Sequence, residues 1–192
     1  IALANELALI AEKIGIDAWE VIQLANLHPR VNLHQPGPGV GGHCISVDPW
    51  FIVEKAPDEA KLIRLARQTN DAMPEHVVRL VEAELGTSAG LKIAVLGVTY
   101  KGNVDDTRES PALEVLHHLR ERGVSFAIYD PYVREFQYDV SDISSTFDGA
   151  DCVLLLTSHN EYRYLNPLEV GKQLRRKLLI DTRNFLDRAA WL

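Results

Sequence analysis

Cys44 lies in the run Gly39-Val40-Gly41-Gly42-His43-Cys44-Ile45-Ser46-Val47-Asp48-Pro49, with a carboxylate four positions beyond the thiol. Glycines carry no Cβ and tolerate positive φ, so this backbone can come close to a bulky carbonyl substrate. An unassisted thiol with a pKa of about 8.5 is only about 3% thiolate at neutral pH. His43 and any backbone N–H groups turned toward Cys44 are the local groups that would favour the anion. The pattern predicts nucleophilic chemistry at Cys44, with Asp48 placed to orient or deprotonate a water. The competing reading is a small buried hydrophobe in a loop, the usual fate of a free cysteine.

A second group of polar residues follows a short apolar run. Lys92 to Val98 reads as a buried strand, and its opening resembles that of a dinucleotide-binding unit. The glycine after Gly97 comes only at Gly102, so the Gly-x-Gly-x-x-Gly turn is absent there. Asn103 and Val104 occupy the Lys and Ser/Thr places of a phosphate-binding loop. Asp130 imitates the acid that holds a ribose, although it is distant from these glycines and begins an Asp-Pro turn. A parallel sheet still favours a ligand at the carboxyl edge of its strands. Lys101 and Arg108 belong to the loop at that edge, beside a helix start at Ser110-Pro111, which suits an anion. Pairing with Asp105, Asp106 or Glu109 accounts for both cations equally well by spacing alone.

No metal is expected. His28, His34, His43 and Cys44 fit no zinc spacing, and adjacent His43 and Cys44 cannot easily face one ion. Cys152, inside Ala150-Asp151-Cys152-Val153-Leu154-Leu155-Leu156, reads as a buried strand residue.

The elements that must position these residues follow from periodicity. Leu3, Leu7, Ile10 and Ile14 form a helical stripe, as in core or a dimer interface, stopped by Gly15. Asp17 and Glu20 resemble a capping box for a helix over 18–26. Residues 28–48 are rich in Pro and Gly and lack periodicity, a length that in a compact domain points to function. A helix opening at Asp58 carries Leu62, Leu65, Ala66 and Thr69. Another starts at Pro74 and ends at Gly86, and Thr87 to Gly90 reads as a linker. Beyond it, strands at 92–98, 125–130, 151–156 and 177–181 alternate with helices at 111–122 and 167–174, which implies a parallel doubly wound sheet. The expected α/β architecture is a helical dimerisation domain over 1–87, then a Rossmann-like domain over 88–192.

With 192 residues, 46% hydrophobic and 24% charged, the composition is that of one or two globular domains. A net charge of −7 argues against a nucleic-acid or membrane surface. Two cysteines in unlike contexts argue against a disulfide framework and fit a reducing cytoplasm. No apolar run approaches the roughly 20 residues of a membrane span. The chain begins at Ile1 inside a helical pattern, which reads as a fragment.

Gly41-Gly42-His43-Cys44 with Asp48, followed by Gly97 to Pro111, resembles the UDP-glucose/GDP-mannose dehydrogenase family, and His43 resembles its UDP-N-acetylmannosamine branch. The resemblance runs from Asn5-Glu6 to Ile180-Asp181-Thr182-Arg183, with Thr182 in place of the glycine common there. It implies oxidation of a sugar C6 alcohol to a carboxylate with two NAD through a thioester on Cys44, with Asp48 serving the water. It further implies that Lys101 and Arg183 contact the UDP-sugar, that Arg108 reaches the NAD, and that Gly41 lets the pyranose approach. His28 and Arg30 match a loop that reaches the neighbouring subunit's site, so a homodimer is implied, with an interface expected from the first helix and the helices over 58–85. In the family a dinucleotide-binding domain, and a lysine and an asparagine on the first helix, precede the position of Ile1, so this chain alone is expected to be inactive. Other readings are a non-catalytic sugar-nucleotide-binding or dimerisation module, a thiol enzyme of another type, or a dehydrogenase acting on UDP-glucose, UDP-GalNAc or GDP-mannose.

Overall fold

The structure, a computed structural model, describes residues 1–86 and 90–192. The linker read at Thr87 to Gly90 lies, apart from Gly90, outside the described residues. The first half is helical: α1 (Ala2–Ile14), α2 (Ala18–Asn26), α3 (Asp48–Lys55), α4 (Lys61–Asp71) and α5 (Met73–Leu85). Gly15 ends α1 at φ 74, where a residue with a Cβ would be strained. Asp17 caps α2 by accepting the N–H groups of Trp19 and Glu20. One expectation shifts: the helix read from Asp58 begins at Lys61, because residues 57–59 form a turn in which the Ala60 N–H donates to Ala56 (2.9 Å). One element is new, since α3 starts at Asp48, where the predicted loop over 28–48 ends.

The second half holds β1 (Lys92–Leu96), α6 (Pro111–Glu121), β2 (Ser125–Tyr129), α7 (Ile143–Phe147), β3 (Cys152–Leu155), α8 (Pro167–Gln173), β4 (Leu179–Asp181) and α9 (Arg188–Trp191). The strands form one parallel sheet in the order β2-β1-β3-β4. Period-2 alternation sends Ile93, Val95, Cys152 and Leu154 to a layer with α5 and α6, and Ala94, Leu96, Val153 and Leu155 to one with α7, α8 and the 3-10 turn Asn160–Tyr164. The chain is thus α/β, helices followed by a Rossmann-like sheet.

α5 buries Val77, Val78, Val81 and Leu85 in the sheet's own core, so its apolar face serves the second half. The stripe Leu3, Ile10 and Ile14 of α1 instead points outward, as do Leu62 and Leu65 of α4. What α1 turns inward is Ala4, Asn5 and Ala11. The Asn5 amide, fully buried, donates to Oδ1 of Asn70 (2.9 Å) and accepts the N–H of Gly37 (2.9 Å). This bridge ties α1 and α4 to the start of the glycine-rich loop. Removing it strands a buried amide and a buried N–H, so Asn5→Ala should cost about 1–3 kcal/mol. Urea unfolding checks this, and an unchanged midpoint would refute it.

Candidate active site

The loop that delivers Cys44 lies across the carboxyl edge of the sheet, and at Gly39 and Gly41 the space a Cβ would need is taken by neighbouring residues. A Cβ on Gly37 would stand 2.5 Å from Nη1 of Arg183, one on Gly39 2.9 Å from Cβ of Pro111, and one on Gly41 2.5 Å from the carbonyl oxygen of Glu109 and 2.6 Å from Cβ of Tyr100. Gly42, at φ +84, donates its N–H to the carbonyl of Arg108 (3.1 Å). The space beside Gly41 is therefore filled by protein, which explains its missing side chain without a sugar ring.

Cys44 is exposed. Its Sγ lies 3.5 Å from Nε2 of His43. Its carbonyl accepts the N–H groups of Val47 (3.1 Å) and Asp48 (2.8 Å), the turn from which α3 springs. Asp48 thereby stands in the first turn of that helix, where the free N–H groups favour a carboxylate. From behind, Arg67 of α4, only 5% exposed, donates to the carbonyl of Ile45 (3.2 Å) and pairs with Asp71. The Ser46 hydroxyl donates to the carbonyl of Gly42. A cavity of about 550 Å³ backs the loop, lined by Ser46, Trp50, Arg67, Asn70 and Pro111 among others, with neither Cys44 nor Lys101 on its wall.

Across from the thiol, Arg108 folds back onto Asp106, its Nε and Nη2 donating to both carboxylate oxygens at 2.6–3.1 Å. Those side-chain bonds, then the backbone N–H of Arg108, then the nearby His43, hold the Asp106 carboxyl down at about 2. Of the two cations read at this edge, Arg108 is thus paired, as one reading of its spacing foresaw. Lys101 is exposed on the same loop. On the far side Arg183, just past β4, donates from Nε to the carbonyl of Leu156 (3.0 Å). Burial lowers its pKa from the usual arginine value, against the pull of Asp181.

Asp130 does not face a ligand. Its side chain is wholly buried, accepting the N–H of Val98 (2.8 Å) and of Tyr132 (2.9 Å) beside His159 (3.0 Å). Burial alone would raise its pKa, but these hydrogen bonds outweigh it and leave the carboxyl below its ordinary value. Cys152 is buried in β3, its thiol pushed up to about 12 chiefly by that burial. His28 and Arg30 occupy a separate exposed loop after α2, pinned by Asn26, whose amide bonds both the N–H and the carbonyl of Leu33. Among the described residues no three His, Cys, Asp or Glu side chains converge as metal ligands, and no described helix is long and apolar enough to cross a membrane.

The turn after β1 is no dinucleotide cradle either. A Cβ on Gly97 would stand 2.5 Å from Thr157 and one on Gly102 2.3 Å from the carbonyl oxygen of Ser158, so these glycines admit neighbouring backbone rather than a pyrophosphate. The run Gly37-Pro38-Gly39-Val40-Gly41-Gly42 does spell Gly-x-Gly-x-x-Gly, but it follows no strand and opens no helix. Sequence reasoning missed Arg67 and His159. The one available signal was a charged residue at a position where α4 turns inward.

Residues 1–72 match the central domain of the UDP-glucose/GDP-mannose dehydrogenase family, and residues 94–188 match that family's UDP binding domain. A UDP-N-acetyl-D-mannosamine dehydrogenase of Methanocaldococcus jannaschii is 50% identical over 194 residues, which take in 100% of this chain and 45% of that protein. A solved UDP-D-ManNAc dehydrogenase from Pyrococcus horikoshii superposes with a TM-score of 0.87 at 41% identity, covering 98% of this chain and 45% of the other. An NDP-N-acetyl-D-galactosaminuronic acid dehydrogenase from Methanosarcina mazei gives a TM-score of 0.89 at 27% identity, over 100% of this chain and 45% of that one. The chain spans about half the length of the relatives it matches.

The depressed carboxyl of Asp130 makes an acid-side prediction. Its contribution to stability is present above the unfolded carboxylate pKa of about 3.9 and is lost as pH falls through the lower native value. Asp130→Asn should therefore flatten the fall of the urea midpoint between about pH 5 and 3. A variant whose midpoint falls in parallel with the wild type would refute it.

Proposed function

The chain belongs to the UDP-glucose/GDP-mannose dehydrogenase family, and from that premise we propose that it is the catalytic-thiol and sugar-nucleotide half of a UDP-sugar 6-dehydrogenase, with UDP-N-acetylmannosamine as substrate. The observation that carries this is the seating of the Cys44 loop on the carboxyl edge of the sheet, between the Lys101 loop and Arg183. Those two cations suit a diphosphate at that edge. Gly41 would contact the sugar through its backbone.

Two NAD molecules, held mainly by residues outside this chain with Arg108 reaching toward them, would accept the two hydrides. Cys44 does the covalent work: its thiolate adds to the C6 aldehyde to give a thiohemiacetal, which becomes a thioester as the second hydride leaves and is then hydrolysed. Asp48 orients the attacking water and takes its proton, the acyl–sulfur bond breaks, and the thiol returns with a carboxylate as product. Since the turn after β1 builds no dinucleotide cradle, the chain alone is proposed to be without dehydrogenase activity. A free, exposed thiol suits the reducing cytoplasm.

The outward stripe of α1 with Leu62 and Leu65 of α4 is proposed as the interface of a homodimer. The face of α5, read from sequence as part of that interface, is already used by the sheet. His28 and Arg30, apart from the thiol in their own chain, would serve the partner's site.

Two experiments bear on this. In the enzyme complete with its dinucleotide-binding unit, Cys44→Ser should cut uronate formation at least about a thousandfold with UDP-sugar affinity largely kept; wild-type turnover would sink the covalent route. Sedimentation of this chain at micromolar concentration should show a dimer, and Arg30→Ala should weaken UDP-sugar binding without dissociating it. A monomer would count decisively against the shared site.

A further inference from the structure

The sheet half encloses a polar cluster to which the reaction assigns no task. Asp130 and His159 have no exposed side-chain surface. Nε2 of His159 lies 3.0 Å from Oδ2 of Asp130 and 3.2 Å from Oγ1 of Thr99, while Nδ1 accepts the backbone N–H of Asn103 at 2.9 Å. That last bond sets the tautomer. A ring nitrogen that accepts from an amide carries no proton, so the neutral ring holds its proton on Nε2, toward Asp130. Tyr132 stacks on the ring with centroids 4.8 Å apart.

Apart from the N–H of Tyr132, which Asp130 also accepts, what the cluster grips belongs to the segment that carries Lys101. The Thr99 hydroxyl donates to the carbonyl of Lys101 (2.8 Å), and the Thr157 hydroxyl donates to the carbonyl of Thr99 (2.7 Å). Asn103, at φ 62, accepts the N–H of Asn160 on its side-chain oxygen (2.8 Å). Gly102 lies so close to the turn after β3 that a Cβ there would meet the carbonyl oxygen of Ser158. The backbone of 99–103 is thus bolted to residues 157–160, while the Lys101 side chain projects into solvent. The bolt stands between the adjacent strands β1 and β3, where their connections diverge to opposite sides.

We propose that His159 is a positioning residue for substrate: bridging Asp130 to the N–H of Asn103, it fixes segment 99–103 so that Lys101 meets the diphosphate of the sugar nucleotide. The inference rests on the reading of Lys101 as a diphosphate ligand. A long flexible ammonium binds better from a backbone already held in place, because less freedom is lost on association. An apolar residue at 159 would leave Asp130 buried beside one bond fewer and the Asn103 N–H without its acceptor.

The test is a cycle read by calorimetric titration of the full chain with UDP. His159→Leu and Thr99→Val should each weaken binding about tenfold when Lys101 is present and less than about twofold in a Lys101→Met background, since a residue acting through Lys101 loses its effect with it. Equal losses in both backgrounds, or wild-type affinity in both single variants, would overturn the inference alone. Lys101→Met binding UDP as the wild type does would overturn it together with the diphosphate reading. Should His159→Leu not fold, Thr99→Val carries the same cycle, replacing a hydroxyl with a methyl of equal size.

Discussion

The contact between the glycine-rich loop and the carboxyl edge of the sheet is what the candidate site depends on. Gly39 and Gly41 face Pro111 and the Tyr100 Cβ and Glu109 carbonyl at distances that leave no room for a Cβ, and Gly37 faces the end of the Arg183 side chain. Glycine loses more conformational freedom on folding than any other residue. The cost is offset here by anchors at either end: the Asn5 amide on the N–H of Gly37, and the carbonyl of Arg108 on the N–H of Gly42. Beyond Gly42 the chain makes the turn closed by the Cys44 carbonyl, with the thiol exposed.

Charge at this edge is divided by burial and pairing rather than by residue type. Arg67 and Arg183 are drawn under the loop, where each holds a backbone carbonyl. Arg108 is clasped by Asp106, and Lys101 is left exposed above a fixed backbone. The same economy governs the carboxylates: Asp130 and Asp106 are committed to internal partners, whereas Asp48 stands exposed at a helix start four residues from the thiol.

Much of the fold was legible because its signals are local. Gly15, Gly86, Pro74 and Pro111 mark helix ends through φ freedom or a missing N–H, whatever surrounds them. The apolar, β-branched runs of β1 and β3 announce strands covered on both faces. α3 was missed although Asp48-Pro49 opens it as a helix start should, because it is short and buries only Val53, too little to show a stripe.

The sequence by itself determined which residue types could do chemistry, the parallel sheet, and the edge at which a ligand belongs, since these follow from spacing and chain chirality. Only the tertiary structure decided which candidates are free to act. Asp130 imitates a ribose ligand and is a buried anchor for Val98 and His159; the helix ending at Gly86 reads as interface and buries its apolar face against the sheet. Each of these outcomes turns on burial and on partners tens of residues away, such as His159 at 29 positions from Asp130 and Asn103 at 56 from His159. No local pattern encodes contacts of that separation.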